Sequence, residues 1–96
     1  MSYRLTREAE EDLITIAERG IELFGENQAR AYHNALYDVF ELISANPKMV
    51  RERLELSPPV RIHPFKAHMI IYQIKGDTVL IIRVRHGRED WLTQPV

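Results

Sequence analysis

The chain has no cysteine among its 96 residues. That excludes disulfides, thiol nucleophiles, iron–sulfur clusters and zinc held by thiolate, and it suits a reducing compartment. Long apolar runs are also missing. No stretch approaches the roughly 20 residues needed to span a bilayer. The opening "MSYRLTREAEEDL" turns acidic before the apolar core of a signal peptide can form. The chain therefore reads as soluble and cytoplasmic, with no membrane contact. There is no internal repeat, no low-complexity tract, no Gly-rich phosphate loop and no nucleophile motif. His33, His63 and His68 show no ligand-like spacing, and "EAEED" reads as a solvated first helical turn, so neither a metal nor another cofactor is expected.

What is present fits one domain covering residues 1–96. The net charge of −1 hides an asymmetry. Residues 1–46 hold four Lys/Arg and nine Asp/Glu, a balance of −5, and residues 47–96 hold nine and five, a balance of +4. A basic second half points either to an acidic partner or to charge balance within the molecule.

Glycine and proline punctuate the chain, and the apolar period changes at each mark. "YRLT" is a short strand, and Thr6 then offers its hydroxyl as a helix N-cap ahead of Glu8, Glu10 and Glu11. Ala9, Leu13, Ile16, Ala17, Gly20 and Phe24 form one helical stripe, closed by Gly25 as C-cap. Ala29, Tyr32, Leu36, Val39, Phe40 and Ile43 form a second stripe from near Glu26, ended by Pro47. The short link makes the two helices antiparallel, and Gly20 facing a small residue would let their axes approach closely. Residues 47–59 read as a connector.

Beyond it the period becomes two. "VRIHPF", "HMIIYQI" and "TVLIIRVR" read as an antiparallel meander, with Gly76–Asp77 at a tight hairpin turn. The fold class is α+β in the order β-α-α-β-β-β, an antiparallel sheet with a helical hairpin packed on one face. The other face is then solvated or meets a partner. Strict alternation along the last strand puts Leu80, Ile82 and Val84 on one face and Val79, Ile81, Arg83 and Arg85 on the other; if the first set faces the helices, Arg83 and Arg85 stand on the open face, with His86 following Val84. In "HGRED", Gly87 is expected at positive φ in a turn, with Asp90 capping the terminal segment.

The pattern of "YRLTREAEEDLITI", the helical hairpin ending in "ANP", and above all "RVRHGRED" after an apolar strand resembles the ParE toxins of the ParE/RelE superfamily, the toxin half of bacterial type II toxin–antitoxin operons. The resemblance covers essentially the whole chain. It implies neutralisation by a ParD-like antitoxin and inhibition of DNA gyrase by protein binding, with no nuclease activity and no direct nucleic-acid binding by the free toxin. The residues expected to carry partner contact are Arg61, Arg83, Arg85, His86, Arg88 and Trp91. Arginine suits such a surface because its planar fork grips carboxylates bidentately.

The RelE branch cleaves messenger RNA on the ribosome, so an RNA-cleaving enzyme is the alternative. Metal-free cleavage needs a base, an acid and cations around the phosphorane. Arg61, Arg83 and Arg85 could supply charge, His86 the acid, and Glu52 or Glu55 the base. Against this, no tyrosine follows the last strand, where RelE-like enzymes usually place one. The tyrosines are Tyr3, Tyr32, Tyr37 and Tyr72, and the late aromatic is Trp91. The expectation is therefore binding without catalysis.

Overall fold

The computed structural model describes residues 1–87. Arg88, Asp90 and Trp91 lie outside the described residues, as does the expected terminal turn. Seven elements follow in order: β1 (Ser2–Leu5), α1 (Arg7–Phe24), α2 (Glu26–Ala45), β2 (Glu52–Arg53), β3 (Val60–Phe65), β4 (His68–Lys75) and β5 (Thr78–His86). They form one five-stranded sheet in the order β1-β5-β4-β3-β2. Only the β1–β5 pairing is parallel. The fold class is as expected from the sequence, with β2 added. Residues 52–53 of the connector pair with Arg61 and Val60 and extend the sheet by one short edge strand. Two residues carry no period that a pattern search can detect.

The helix boundaries follow from their caps. Thr6 is extended, and its Oγ1 accepts the Ala9 N–H at 3.0 Å. The same hydroxyl donates to the Ile82 carbonyl at 2.7 Å, tying the start of α1 to β5. Gly25 (φ 86°) ends α1 by donating to the Ile21 carbonyl, and its own carbonyl accepts from Ala29 in α2. A left-handed φ is why glycine sits there. One residue thus turns the chain between antiparallel helices.

Gly20 lets the two helices touch. A Cβ built there would lie 3.2 Å from the Ala29 Cβ, so a side chain would have to push Ala29 back by about a few tenths of an ångström. Gly20→Val should lower unfolding free energy by about 1–3 kcal/mol, the usual cost of overpacking. Urea titration of both proteins checks this, as a fall in midpoint at unchanged slope.

The main core lies between the helical hairpin and β1-β5-β4. Leu36, Phe40, Ile43, Ile70, Tyr72, Val79 and Ile81 are fully buried there. Phe40 packs against Tyr3 and Tyr37 with ring centroids 5.6 and 5.4 Å away. The buried Tyr72 hydroxyl donates to the Pro47 carbonyl at 2.8 Å, joining the sheet to the end of α2. A second apolar cluster of Val60, Ile62 and Ile71 occupies the opposite sheet face, partly covered by Leu56, Met69 and Ile82.

The last strand departs from strict alternation. Val79 and Ile81 join the helix-side core, while Ile82 joins the opposite cluster, the reverse of the sequence expectation. The cause is a bulge. Tyr72 pairs with Ile81 and Ile71 with Arg83, so Ile82 is an extra residue in β5. A bulge resets the parity of a strand. Val84 therefore returns to the helix side, where the sequence placed it, and Arg83 and Arg85 pair with Ile71 and Met69 of the opposite face. Gly76 has φ 63° and opens the β4–β5 turn as expected. Gly87 does not take a left-handed φ; its N–H instead donates to the Ala67 carbonyl at 2.8 Å.

Candidate partner-binding site

Four of the six residues proposed from sequence are described, and they divide among three places. Arg61 lies on the helix side of β3, across from Tyr72. Its guanidinium donates to the Val50 carbonyl at 2.6 Å, which fastens the connector to the sheet. Tyr72 itself is pushed up by burial, with the Arg61 charge pulling the other way. Arg85 lies on the opposite sheet face. His86 lies on the helix side, paired in register with His68.

Arg83 is tied down. Its Nε and Nη2 donate to the two carboxylate oxygens of Asp12 at 2.8 and 2.9 Å. Asp12 Oδ2 also accepts the Val84 N–H at 3.0 Å. β1 stops at Leu5, so beyond Ile81 the β1-side edge of β5 has no strand pairing with it among the described residues, while β4 continues on the other side. Asp12 on α1 satisfies the strand's exposed backbone donor and its arginine together. Side-chain exposures of 25% for Arg83 and 16% for Asp12 make this a largely buried pair.

A second carboxylate is held in the open. Arg53 Nε donates to Glu55 Oε2 at 2.6 Å, and Arg51 reaches both oxygens at 3.4 and 3.3 Å. Hydrogen bonds from Arg53, then from the Glu55 backbone and Arg51, lower the Glu55 carboxyl to about 2. A depressed carboxyl pKa adds stability above the unfolded value, and that contribution disappears as pH falls through the folded value. The Glu55 side-chain carbon should therefore titrate near 2 by NMR, and its share of stability should fade between about 4.5 and 2. Solvent screening keeps that share small.

The feature absent from the sequence reading is a groove of about 880 Å³ between the helical hairpin and the far end of the sheet. Its apolar wall comes from Ile16, Leu23, Phe24 and Val84, and its polar corner from Tyr32, Lys66, His68 and His86. Leu23 and Phe24 are 64% and 63% exposed. Phe24, counted in the buried stripe of α1, instead projects at the helix end. In the corner, Tyr32 Oη lies 2.6 Å from His68 Nδ1. Burial pushes the Tyr32 phenol up, against a smaller opposing effect of the Ala67 backbone. The phenol therefore keeps its proton, and one hydrogen bond joins it to the imidazole. The His68 and His86 rings meet edge to face with centroids 5.4 Å apart. These contacts join residues 36 and 18 positions apart, so no local motif announces them.

No group of three His, Asp or Glu side chains among the described residues is placed to hold a metal. No helix among them is long and apolar enough to cross a membrane.

Residues 3–91 match the family model described as the ParE toxin of the type II toxin–antitoxin system, parDE. The chain belongs to the ParE toxin family. Toxin ParE3 of Caulobacter vibrioides is 32% identical over 89 residues, covering 93% of this chain and 89% of that one. Toxin ParE1 of Mycobacterium tuberculosis is 29% identical over 89 residues, covering 92% and 91%. A solved structure titled as a chromosomal ParDE system from P. aeruginosa superposes with a TM-score of 0.78 at 22% identity, covering 90% of this chain and 95% of that chain. This ParE-family chain thus has the fold expected of it, and the groove and the Asp12–Arg83 pair are features of its own geometry.

Proposed function

We propose that this chain is the toxin of a two-component operon, that it is neutralised in the cytoplasm by a ParD-like antitoxin, and that it inhibits DNA gyrase by protein binding. The observation that carries the binding reading is the dispersal of its cations. Arg61 is spent on a backbone carbonyl, Arg83 on Asp12, and the two lie on opposite faces of the sheet. An enzyme that cleaves RNA without metal must converge such groups on one phosphate. The relatives named as ParE toxins and the ParDE title of the structural neighbour support an antitoxin partner.

The antitoxin presents an amphipathic segment to the groove and hairpin. Leu23, Phe24 and the neighbouring apolar wall offer it a surface that a solitary protein has little reason to leave open. Such a segment is typically disordered when free, and its ordering cost is offset by a large interface. The target contact falls to the end of β5, with Arg85, His86, Arg88 and Trp91 as its candidate residues.

RNA cleavage of the RelE type is the second reading, and the Tyr32–His68–His86 cluster is the observation that favours it. A phenol and two imidazoles are a plausible acid–base set. Expression without antitoxin separates the readings. Gyrase poisoning gives filamentous cells and induction of the DNA-damage response. RNA cleavage gives rapid loss of protein synthesis, and that outcome would replace the binding reading.

A further inference from the structure

We infer that the Lys66 corner of the groove is a carboxylate-binding subsite, built to take one acidic side chain of the partner that fills the groove. The inference rests on the antitoxin reading above and adds the chemistry of its recognition.

The charges facing the groove are one-sided. Asp12 is the single carboxylate lining it among the described residues, and both its oxygens are engaged by Arg83 and the Val84 N–H. Facing it are Arg19 of α1, Tyr32 and His33 of α2, Lys66 of the β3–β4 turn, His68 of β4 and His86 of β5. Arg19 and Lys66 make no ion pair among the described residues. An occupant that complements this wall carries negative charge at the corner and apolar side chains along Ile16, Leu23, Phe24 and Val84.

Lys66 is set up for the task in two ways. It is the one described non-glycine residue with a positive φ, 53°. Lysine gains nothing in that region, where glycine, asparagine or aspartate would sit with less strain. The turn thus carries a lysine where its backbone favours another residue. The side chain then lies against two rings, with Nζ 5.6 Å from the Tyr32 centroid and 5.5 Å from that of Phe65. Cation–π contact holds the ammonium in place without neutralising it, so the charge stays available to a ligand. The Tyr32 hydroxyl is committed to His68 Nδ1, so the Lys66 ammonium is the charged group of this corner. The corner therefore presents a positioned ammonium beside an apolar wall.

The test uses the full-length chain and its ParD-like antitoxin, with affinity measured by calorimetry at fixed salt. Lys66→Asn keeps a residue that tolerates the left-handed turn and removes the charge. It should weaken binding about ten- to thirty-fold, with an unchanged or higher melting temperature, and Lys66→Arg should recover most of the loss. Each antitoxin Asp or Glu is then changed in turn to its amide. One of these changes should weaken binding to the parent chain and cost nothing further against Lys66→Asn, the signature of a coupled pair. If the parent chain binds tightly and Lys66→Asn binds equally well, or no antitoxin carboxylate couples to it, the subsite is overturned and the antitoxin reading stands. If the parent chain does not bind the antitoxin, the antitoxin reading fails and the subsite falls with it.

Discussion

Asp12→Ala should cost about 2–4 kcal/mol of unfolding free energy, the largest effect expected of any single polar substitution here. Removing one partner of a fully buried ion pair costs about 3–5 kcal/mol, because the remaining charge is left in a poorly solvated place. The partial exposure of Asp12 and Arg83 brings the figure down. The backbone acts in the other direction. Asp12 is also the acceptor for the Val84 N–H where β5 runs on past β1, and that donor would be left facing the base of α1. Asp12→Asn separates the two contributions. The amide oxygen can still accept from Val84 but no longer balances Arg83, so about half the loss should remain. Arg83→Met in the Asp12→Ala background should return part of the stability by removing the stranded charge. Denaturant titrations of the parent, Asp12→Ala, Arg83→Met and the double variant form the double-mutant cycle that checks this, with Asp12→Asn measured beside them.

Leu23→Asp combined with Phe24→Asp should weaken antitoxin binding by on the order of 10²-fold or more while barely moving stability. Both side chains are mostly exposed, and surface changes away from special features usually lie within about 0.5 kcal/mol. At an interface the same positions behave differently. Large apolar anchors that fill a groove dominate binding, with about 2 kcal/mol or more lost on truncation of each, and a buried carboxylate adds its desolvation cost. A melting curve within a few degrees of the parent, alongside a lost calorimetric binding signal, is the expected pair of results. Retained affinity would place the antitoxin elsewhere on the hairpin.

The sequence revealed the parts of the fold that are decided locally. Thr6 as a cap, Gly25 as a left-handed joint, Pro47 as a stop and Gly76 as a hairpin residue each act within a few positions of themselves, and each is found where the sequence put it. The faces of β5 were not legible between residues 79 and 82. Apolar residues run without a break from Val79 to Ile82, so alternation offers two parities and the sequence alone cannot choose. The bulge at Ile82 supplies both, placing Val79, Ile81 and Val84 in one core and Ile82 in the other.

The candidate site was less legible than the fold. Arg83 reads as a cation on offer to a partner because its carboxylate lies 71 positions away on α1. Tyr32 reads only as a core residue of α2 because its partner His68 lies 36 positions on, in β4. Lys66 stands out only in the fold, by its positive φ and the two rings beside its ammonium. In each case the chemistry arises from tertiary juxtaposition, which period and composition do not encode.

The central claim is that this chain inhibits another protein by gripping it and breaks no bond itself. The most direct measurement adds the purified chain to DNA gyrase and, in parallel, to messenger RNA with and without ribosomes. The account predicts inhibited supercoiling that is relieved by antitoxin, with transcripts left whole. Cleaved transcripts, with cleavage abolished by His86→Gln or Tyr32→Phe and supercoiling untouched, would contradict it.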